Sequence, residues 1–165
     1  GGAMGLIDYV NSQFDRSVTW DDLAWLIEQW DGPFVIKGLQ SPADAKRAVD
    51  VGASAIMVSN HGGRQLDTTP APIDCIAPIR DAIGDQLELI MDGGIRRGTH
   101  IIKALAQGAD ACSIGRPYLY GLAAGGQKGV ERALSLLKAE VERDMALLGV
   151  SSISEIQGHH LIDRR

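Results

Sequence analysis

Residues 55–64 read Ala-Ile-Met-Val-Ser-Asn-His-Gly-Gly-Arg, an apolar run of strand length that passes directly into a polar, glycine-rich turn. The same pattern occurs three more times, with apolar runs at residues 34–36, 87–91 and 111–114. Apolar residues in succession are typical of strands that are covered on both faces, as in parallel sheets. The sequence therefore predicts four buried strands, each followed by a loop that carries polar residues.

Amphipathic segments lie between these runs. Ser41 followed by Pro42 is typical of a helix start, and residues 41–51 keep their apolar side chains on one helical face. Residues 73–83 and 99–106 have the same character, and glycines follow them as helix stops. Strand and helix thus alternate at spacings of roughly 20 to 30 residues, which predicts right-handed parallel βαβ units and an α/β fold.

Three further segments are predicted outside this alternation. Thr19 is placed to cap a helix that runs through Trp30. Residues 129–148 have the periodicity of a long amphipathic helix. Residues 153–156 are expected to form a short turn.

The positions of the polar turns indicate which parallel sheet this is. They follow the strands, at residues 37–38, 59–63, 92–94 and 115–117, and TIM barrels gather their chemistry on the loops after the strands, with phosphate held after the last two. A doubly wound sheet would carry a GxGxxG turn after its first strand, and the sequence has none there. Because a complete barrel has eight strands and about 250 residues, four strand–helix units predict the C-terminal half, strands 5–8.

This assignment divides the chain into three parts. We expect residues 1–30 to form a connecting segment and the helix before strand 5, residues 31–150 the half-barrel, and residues 151–165 a C-terminal tail. A half-barrel has two unpaired parallel edges, so we expect another chain or a second copy to complete it.

Composition restricts the class of partner. The chain has 165 residues, 45% of them hydrophobic, and a formal net charge of −5, which is typical of a globular protein and argues against a nucleic-acid partner. The two cysteines, Cys75 and Cys112, show no metal-ligand or disulfide spacing and are predicted to be reduced core residues of a cytoplasmic protein. A small-molecule substrate is the expected partner.

His61 and Arg64 are the candidate substrate residues. His61 lies between a strand end and two glycines, where the backbone can turn sharply and an imidazole can act as a base near neutral pH. Arg64 could bind a carboxylate through two parallel hydrogen bonds. Position alone leaves a loop-capping histidine equally open for His61. For Arg64 on its own, a solvated surface arginine is the favoured interpretation.

Two later loops are candidate phosphate sites. Asp92-Gly93-Gly94-Ile95-Arg96 and Gly115-Arg116 each combine glycine-rich backbone with an arginine, which suits a phosphate monoester, and Asp92 could accept hydrogen bonds from hydroxyls of the same ligand. Lys37, just past the first apolar run, should point into the barrel mouth and could bind an anionic ring or form a Schiff base. A salt-bridged lysine at the rim is the alternative.

Four motifs in this order resemble one family. Residues 35–38 (VIKG), 58–67 (VSNHGGRQLD), 92–98 (DGGIRRG) and 114–117 (IGRP) are similar to successive signatures of the FMN-dependent 2-hydroxy-acid dehydrogenases and oxidases. The bacterial L-lactate dehydrogenase branch resembles the chain most.

The resemblance implies a role for each candidate residue. His61 would be the base that takes a proton from an (S)-2-hydroxy acid, most simply L-lactate, and Arg64 would bind the substrate carboxylate. Lys37 would stabilise negative charge at the N1/O2 side of FMN, with Ser59 nearby. The remaining flavin contacts would come from Asp92 on the ribityl chain and from Gly93, Gly94, Ile95, Arg96, Gly115 and Arg116 around the phosphate.

The resemblance also implies partners. Family members are longer, and their first four strands supply further substrate and flavin contacts, so the complementary N-terminal half or a second copy, in a homo-oligomer, is expected. In related membrane-associated dehydrogenases the connection before strand 5 attaches the enzyme to the bilayer, which implies peripheral contact with the inner membrane upstream of residue 1. Two alternatives stay open: a flavin-free phosphate-binding isomerase or lyase, and an inactive half-barrel.

Overall fold

The computed structural model describes residues 3–162, so residues 1–2 and 163–165 of the predicted connecting segment and tail lie outside it. Its helices and strands alternate along most of the chain. In order they are α1 (Ala3–Ser12), α2 (Trp20–Gln29), β1 (Val35–Lys37), α3 (Pro42–Asp50), β2 (Ala55–Ser59), α4 (Pro72–Ile83), β3 (Glu88–Asp92), α5 (Gly98–Ala106), β4 (Ala111–Ser113) and α6 (Arg116–Leu148). None of the helices within residues 3–162 is both long and apolar enough to span a bilayer.

The strands form one parallel sheet in the order β1-β2-β3-β4, which confirms the predicted α/β fold. Three strands end one residue later than their apolar runs, on Lys37, Ser59 and Asp92. These polar residues still pair through their backbones, and the register aligns Ser59 with Asp92 and Asp92 with Ser113. Polar side chains are thereby brought side by side at the C-terminal edge of the sheet.

The core lies between the sheet and its helices. Alternate strand residues, such as Ile56, Val58 and Leu89, are fully buried against α4, whose Ile76 and Ile79 are also inaccessible to solvent. The opposite face of the sheet carries Val35 and the polar residues of the C-terminal edge. Val35 is 43% exposed, so this second face is covered less completely than the first.

Local sequence signals determine where α2 and α3 begin. Thr19 and Asp22 form a reciprocal capping box at the start of α2, and the Ser41 side chain accepts a hydrogen bond from Asp44 N ahead of Pro42 at the start of α3. Both predicted helix starts are confirmed.

The last helix is longer than predicted. Instead of starting near residue 129, α6 begins at Arg116 and is broken at Gly125 and Gly126, whose φ angles are −159° and +58°. The two parts fold back on each other so closely that a Cβ on Gly121 would lie 2.5 Å from the Gly129 carbonyl oxygen. Gly125 and Gly126 therefore form a tight corner between two helical parts.

Arg80 joins α4 to the N-terminal ends of β3 and β4. Its Nε donates to Gly108 O at 2.9 Å, its Nη1 to Gly84 O at 2.6 Å and Leu87 O at 3.3 Å, and its Nη2 to Asp110 Oδ2 at 2.6 Å. The side chain is 17% exposed. Its removal would take one donor away from three backbone carbonyls and from the Asp110 carboxylate.

Arg80→Ala should therefore lower the free energy of unfolding by about 3 kcal/mol, because charge-assisted hydrogen bonds to backbone are lost together. Urea denaturation measures the change. Asp81→Ala, an exposed neighbour on the same helix, should change stability by less than about 0.5 kcal/mol. An Arg80 variant as stable as the parent protein would show that these contacts do not hold the strand ends.

Candidate active site

A cleft of about 640 Å³ opens at the C-terminal edge of the sheet. The last residue of β1 and the segments that follow β2, β3 and β4 contribute to it. Ten of the eleven residues predicted from the sequence line it: Lys37, His61, Arg64, Asp92, Gly93, Gly94, Ile95, Arg96, Gly115 and Arg116. The eleventh, Ser59, is 2% exposed and lies directly beneath, hydrogen-bonded to Lys37, His61 and Asp92.

Lys37, Ser59 and Asp92 form a hydrogen-bonded group at the base of the cleft. Lys37 Nζ donates to Ser59 Oγ at 3.3 Å and lies 3.3 Å from Asp92 Oδ2, and Ser59 Oγ donates to Asp92 Oδ2 at 2.6 Å. Burial alone would raise the pKa of Asp92, but the hydrogen bonds from Ser59 and Lys37 and the charge of Lys37 hold that pKa below its ordinary value. The carboxylate is therefore ionised at neutral pH and orients the ammonium.

His61 is held in an unusual backbone conformation. Its φ is +59°, in the left-handed region that non-glycine residues rarely adopt, and Gly62 and Gly63 follow at +68° and +71°. The turn is fixed by His61 N, which donates to Ser59 Oγ at 3.0 Å, and by Gly63 N, which donates to Asn60 Oδ1 at 3.2 Å. Strain of this kind persists where the surroundings determine it and is concentrated at functional sites. Here it places an exposed imidazole beside the cleft.

The loop after β3 contributes backbone to the cleft. Gly93 and Gly94 have φ angles of +106° and +76°, which only glycine adopts readily. Ile95 lines the cleft although its side chain belongs to the core and the residue is 3% exposed. Ile95 therefore presents mainly its backbone to the cleft, whereas Arg96 is an exposed residue.

Arg116 is the first residue of α6 and connects two loops. Its Nη2 donates to Gly62 O at 3.5 Å, and Gly115, the N-cap, supplies no side chain to the first turn. Within residues 3–162, neither Arg96 nor Arg116 forms an ion pair with a carboxylate. These two arginines, a glycine-rich loop and a helix N-terminus together suit a phosphate monoester.

The sequence did not reveal several residues that line the cleft. Ser113 is aligned with Asp92 in the sheet and helps to lower the pKa of that carboxyl, and its position as the last polar residue of a strand was a usable signal. Tyr118 and Tyr120 line the cleft from the first two turns of α6 and are 39% and 68% exposed. Nothing marked them, because the helix that carries them was not predicted.

Comparison with known proteins identifies the class. The sequence pattern of the FMN-dependent dehydrogenases matches residues 2–163, and the chain belongs to this family. FMN is accordingly its cofactor, and the residues present fit that group because they offer a monophosphate site. The assignment favours flavin chemistry over the flavin-free isomerase or lyase.

The curated relatives of this chain within the family are named for different activities. The chain is 56% identical over 138 residues to the pre-mycofactocin synthase of Mycolicibacterium smegmatis, covering 84% of this chain and 35% of that protein. It is 52% identical over 155 residues to the L-lactate oxidase of Nostoc sp., covering 94% and 42%. It is 46% identical over 164 residues to the L-lactate dehydrogenase of Xanthomonas campestris, covering 98% and 42%. The chain thus spans about two fifths of the length of these curated relatives.

Solved structures agree with the fold. A flavocytochrome b2 variant with pyruvate bound matches with a TM-score of 0.86 and 43% identity, covering 88% of this chain and 39% of that one. A mandelate oxidase variant with (S)-mandelic acid matches with a TM-score of 0.83 and 44% identity, covering 85% and 42%.

Proposed function

We propose that this chain supplies the base and the flavin-phosphate site of an enzyme that oxidises an (S)-2-hydroxy acid, with L-lactate as the first candidate. The observation that carries the proposal is the cleft itself. It combines an imidazole held in a strained turn, His61, and a nearby arginine, Arg64, with Arg96 and Arg116, which form no ion pair with a carboxylate among the described residues. A base, a carboxylate site and a phosphate site are the parts that this oxidation requires.

His61 and Arg64 act on the substrate. Oxidation of a 2-hydroxy acid to a 2-oxo acid removes two electrons and two protons. FMN, when bound, would supply the acceptor for the two electrons and for the proton that His61 does not take. The His61 imidazole accepts one substrate proton as general base. Arg64, three residues later, binds the substrate carboxylate and so fixes the carbon that is oxidised relative to the base.

Lys37 and Asp92 act on the cofactor. The ammonium of Lys37 is fixed by Ser59 and by the ionised carboxylate of Asp92, so it is a fixed positive charge at the base of the cleft. Such a charge stabilises negative charge that accumulates on a reduced flavin ring. Asp92 keeps acceptor capacity for a ribityl hydroxyl. Arg96 and Arg116 bind the phosphate, with the backbone of Gly93, Gly94, Ile95 and Gly115 around it.

We further propose that another half-barrel covers the open face of the sheet. Among the described residues, β1 and β4 each pair on one side only. The chain exposes 11121 Å², whereas a compact monomer of 17.6 kDa would expose about 7,900 Å². The difference of roughly 3,200 Å² is several times the ~800 Å² that each partner contributes to a standard interface. A complementary N-terminal half of the same enzyme fits this face, and a second copy is the alternative.

One observation favours a second candidate function. The identity to pre-mycofactocin synthase, 56%, is higher than the 52% and 46% to the lactate enzymes. The substrate of that relative, rather than a simple 2-hydroxy acid, would then meet the same base and flavin. The residues that contact the substrate side chain would determine which of these two substrates the enzyme accepts.

We expect L-lactate, mixed without oxygen with the complete flavin-loaded assembly, to bleach the visible absorbance of the flavin, because His61 and Arg64 are arranged for a 2-hydroxy carboxylate. D-lactate is the matched control and should leave the absorbance unchanged, since its hydroxyl and hydrogen exchange places relative to the base. If other (S)-2-hydroxy acids also leave an FMN-loaded assembly unbleached, the hydroxy-acid assignment is wrong and the second candidate takes its place.

A further inference from the structure

Glu140 of α6 lies outside the cleft and binds the end of the loop that follows β3. Its Oε2 accepts a hydrogen bond from Gly98 N at 2.6 Å, and its Oε1 accepts one from Arg97 Nε at 2.8 Å. Arg97 and Gly98 follow Arg96 directly and begin α5. One carboxylate thus holds both residues that connect the loop to its helix.

The packing around Gly98 shows that this contact is built into the fold. A Cβ on Gly98 would lie 2.5 Å from Glu140 Cβ and 2.6 Å from Val141 N. No side chain fits there, so glycine allows the start of α5 to lie directly on α6. The carboxylate of Glu140 is consequently aimed at the first amide of α5.

Glu140 also replaces a local cap. Arg97 occupies the N-cap position of α5 and makes no side-chain capping bond, so the first amides need an acceptor from elsewhere. The hydrogen bond from Gly98 lowers the pKa of Glu140 below its ordinary value. Burial opposes this effect, and the hydrogen bond and charge of Arg97 add to it. The group is therefore an anion at the positive end of α5, where a negative charge is stabilising.

The first turn of α5 is in turn connected to Arg96. His100 lies in that turn, and its Nδ1 accepts a hydrogen bond from Arg96 N at 3.2 Å. The two neighbouring arginines diverge: Arg97 pairs with Glu140, whereas Arg96 lines the cleft. The placement of Arg96 thus depends on an α5 start that Glu140 holds.

We infer that Glu140 is a positioning residue for the FMN phosphate, which it serves by fixing the start of α5 and by keeping Arg97 out of the site occupied by Arg96. The inference rests on the proposed function, because it takes Arg96 as a phosphate ligand. Glu140 touches neither the substrate nor the flavin in this scheme. Its effect should therefore be confined to ligands that carry the phosphate.

The test compares FMN with riboflavin, which lacks the phosphate, as ligands of the complete assembly after its flavin has been removed. Quenching of flavin fluorescence gives the Kd of each. Glu140→Ala should raise the Kd for FMN about tenfold, the size of one charge-assisted hydrogen bond, and change the Kd for riboflavin less than about twofold. Glu140→Gln, which keeps an acceptor for Gly98 N, should raise the FMN value less.

Glu142→Ala is the matched control. Glu142 lies on the exposed side of the same helix: its side chain is 64% accessible, and its Oε1 lies 3.7 Å from Lys138 Nζ. Its removal should alter neither Kd. An unchanged FMN Kd in Glu140→Ala, or equal losses for both flavins, would overturn the inference. If Glu140→Ala does not fold, an FMN Kd in Glu140→Gln equal to the parental one overturns it. A parent assembly without preference for FMN over riboflavin would instead overturn the proposed function, and this inference with it.

Discussion

His61→Ala in the complete assembly is expected to slow flavin reduction by L-lactate by about a thousandfold or more, because general bases contribute roughly 10²- to 10⁴-fold to such steps. FMN should stay bound. The His61 side chain is proposed to move a proton, while the phosphate contacts come from other loops. Stopped-flow absorbance without oxygen measures the rate, and the visible spectrum measures flavin content.

His159→Ala is the control for this variant. His159 is exposed in the C-terminal tail and stacks on His160, so its removal should leave the rate unchanged. If the His61 variant reduced its flavin at the parental rate, His61 would not be the base. Loss of the flavin together with the rate would show instead that the left-handed turn, rather than the imidazole, is what the site requires.

Arg116→Ala should raise the Kd for FMN by about a hundredfold, since a charge-assisted hydrogen bond to a phosphate corresponds to roughly 1.5 to 3 kcal/mol. The guanidinium also donates to Gly62 O, so the His61 turn should become less ordered as well. Flavin retained after gel filtration and titration of the flavin-free protein both report the loss. Riboflavin binding should change much less.

Arg132→Ala serves as the matched control, because Arg132 is an exposed arginine further along the same helix. Its removal should leave flavin retention intact. If Arg116→Ala kept FMN as tightly as the parent protein, the phosphate would have to lie elsewhere than at the start of α6.

The strands and the cleft were predictable because both depend on local sequence. Apolar runs bounded by glycines defined the four strands within about one residue, and parallel pairing then placed Lys37, His61, Asp92 and Arg116 at one edge. Parallel strands have their carboxyl ends together, so residues far apart in sequence could be grouped without knowledge of their contacts.

Features that arise from packing between elements were not predictable. The corner at Gly125 and Gly126 has the composition of a linker, and only the contact between Gly121 and Gly129 in the two parts of α6 makes it a fixed turn. Glu140 is one of several acidic residues on a long helix, and no local pattern distinguishes it from Glu142. Its role depends on Gly98, 42 residues earlier in the chain.

The central claim is that the chain carries the base and the phosphate site of a flavin enzyme whose barrel another half completes. The most direct test is to co-express this chain with an N-terminal half-barrel of the same family, and then to carry out gel filtration and cofactor extraction. We predict that the two chains elute together, that the complex is yellow, that the extracted cofactor is FMN, and that L-lactate bleaches the complex. A compact monomer of 17.6 kDa that unfolds cooperatively and ignores the second half, or a complex whose cofactor is a dinucleotide, would contradict this.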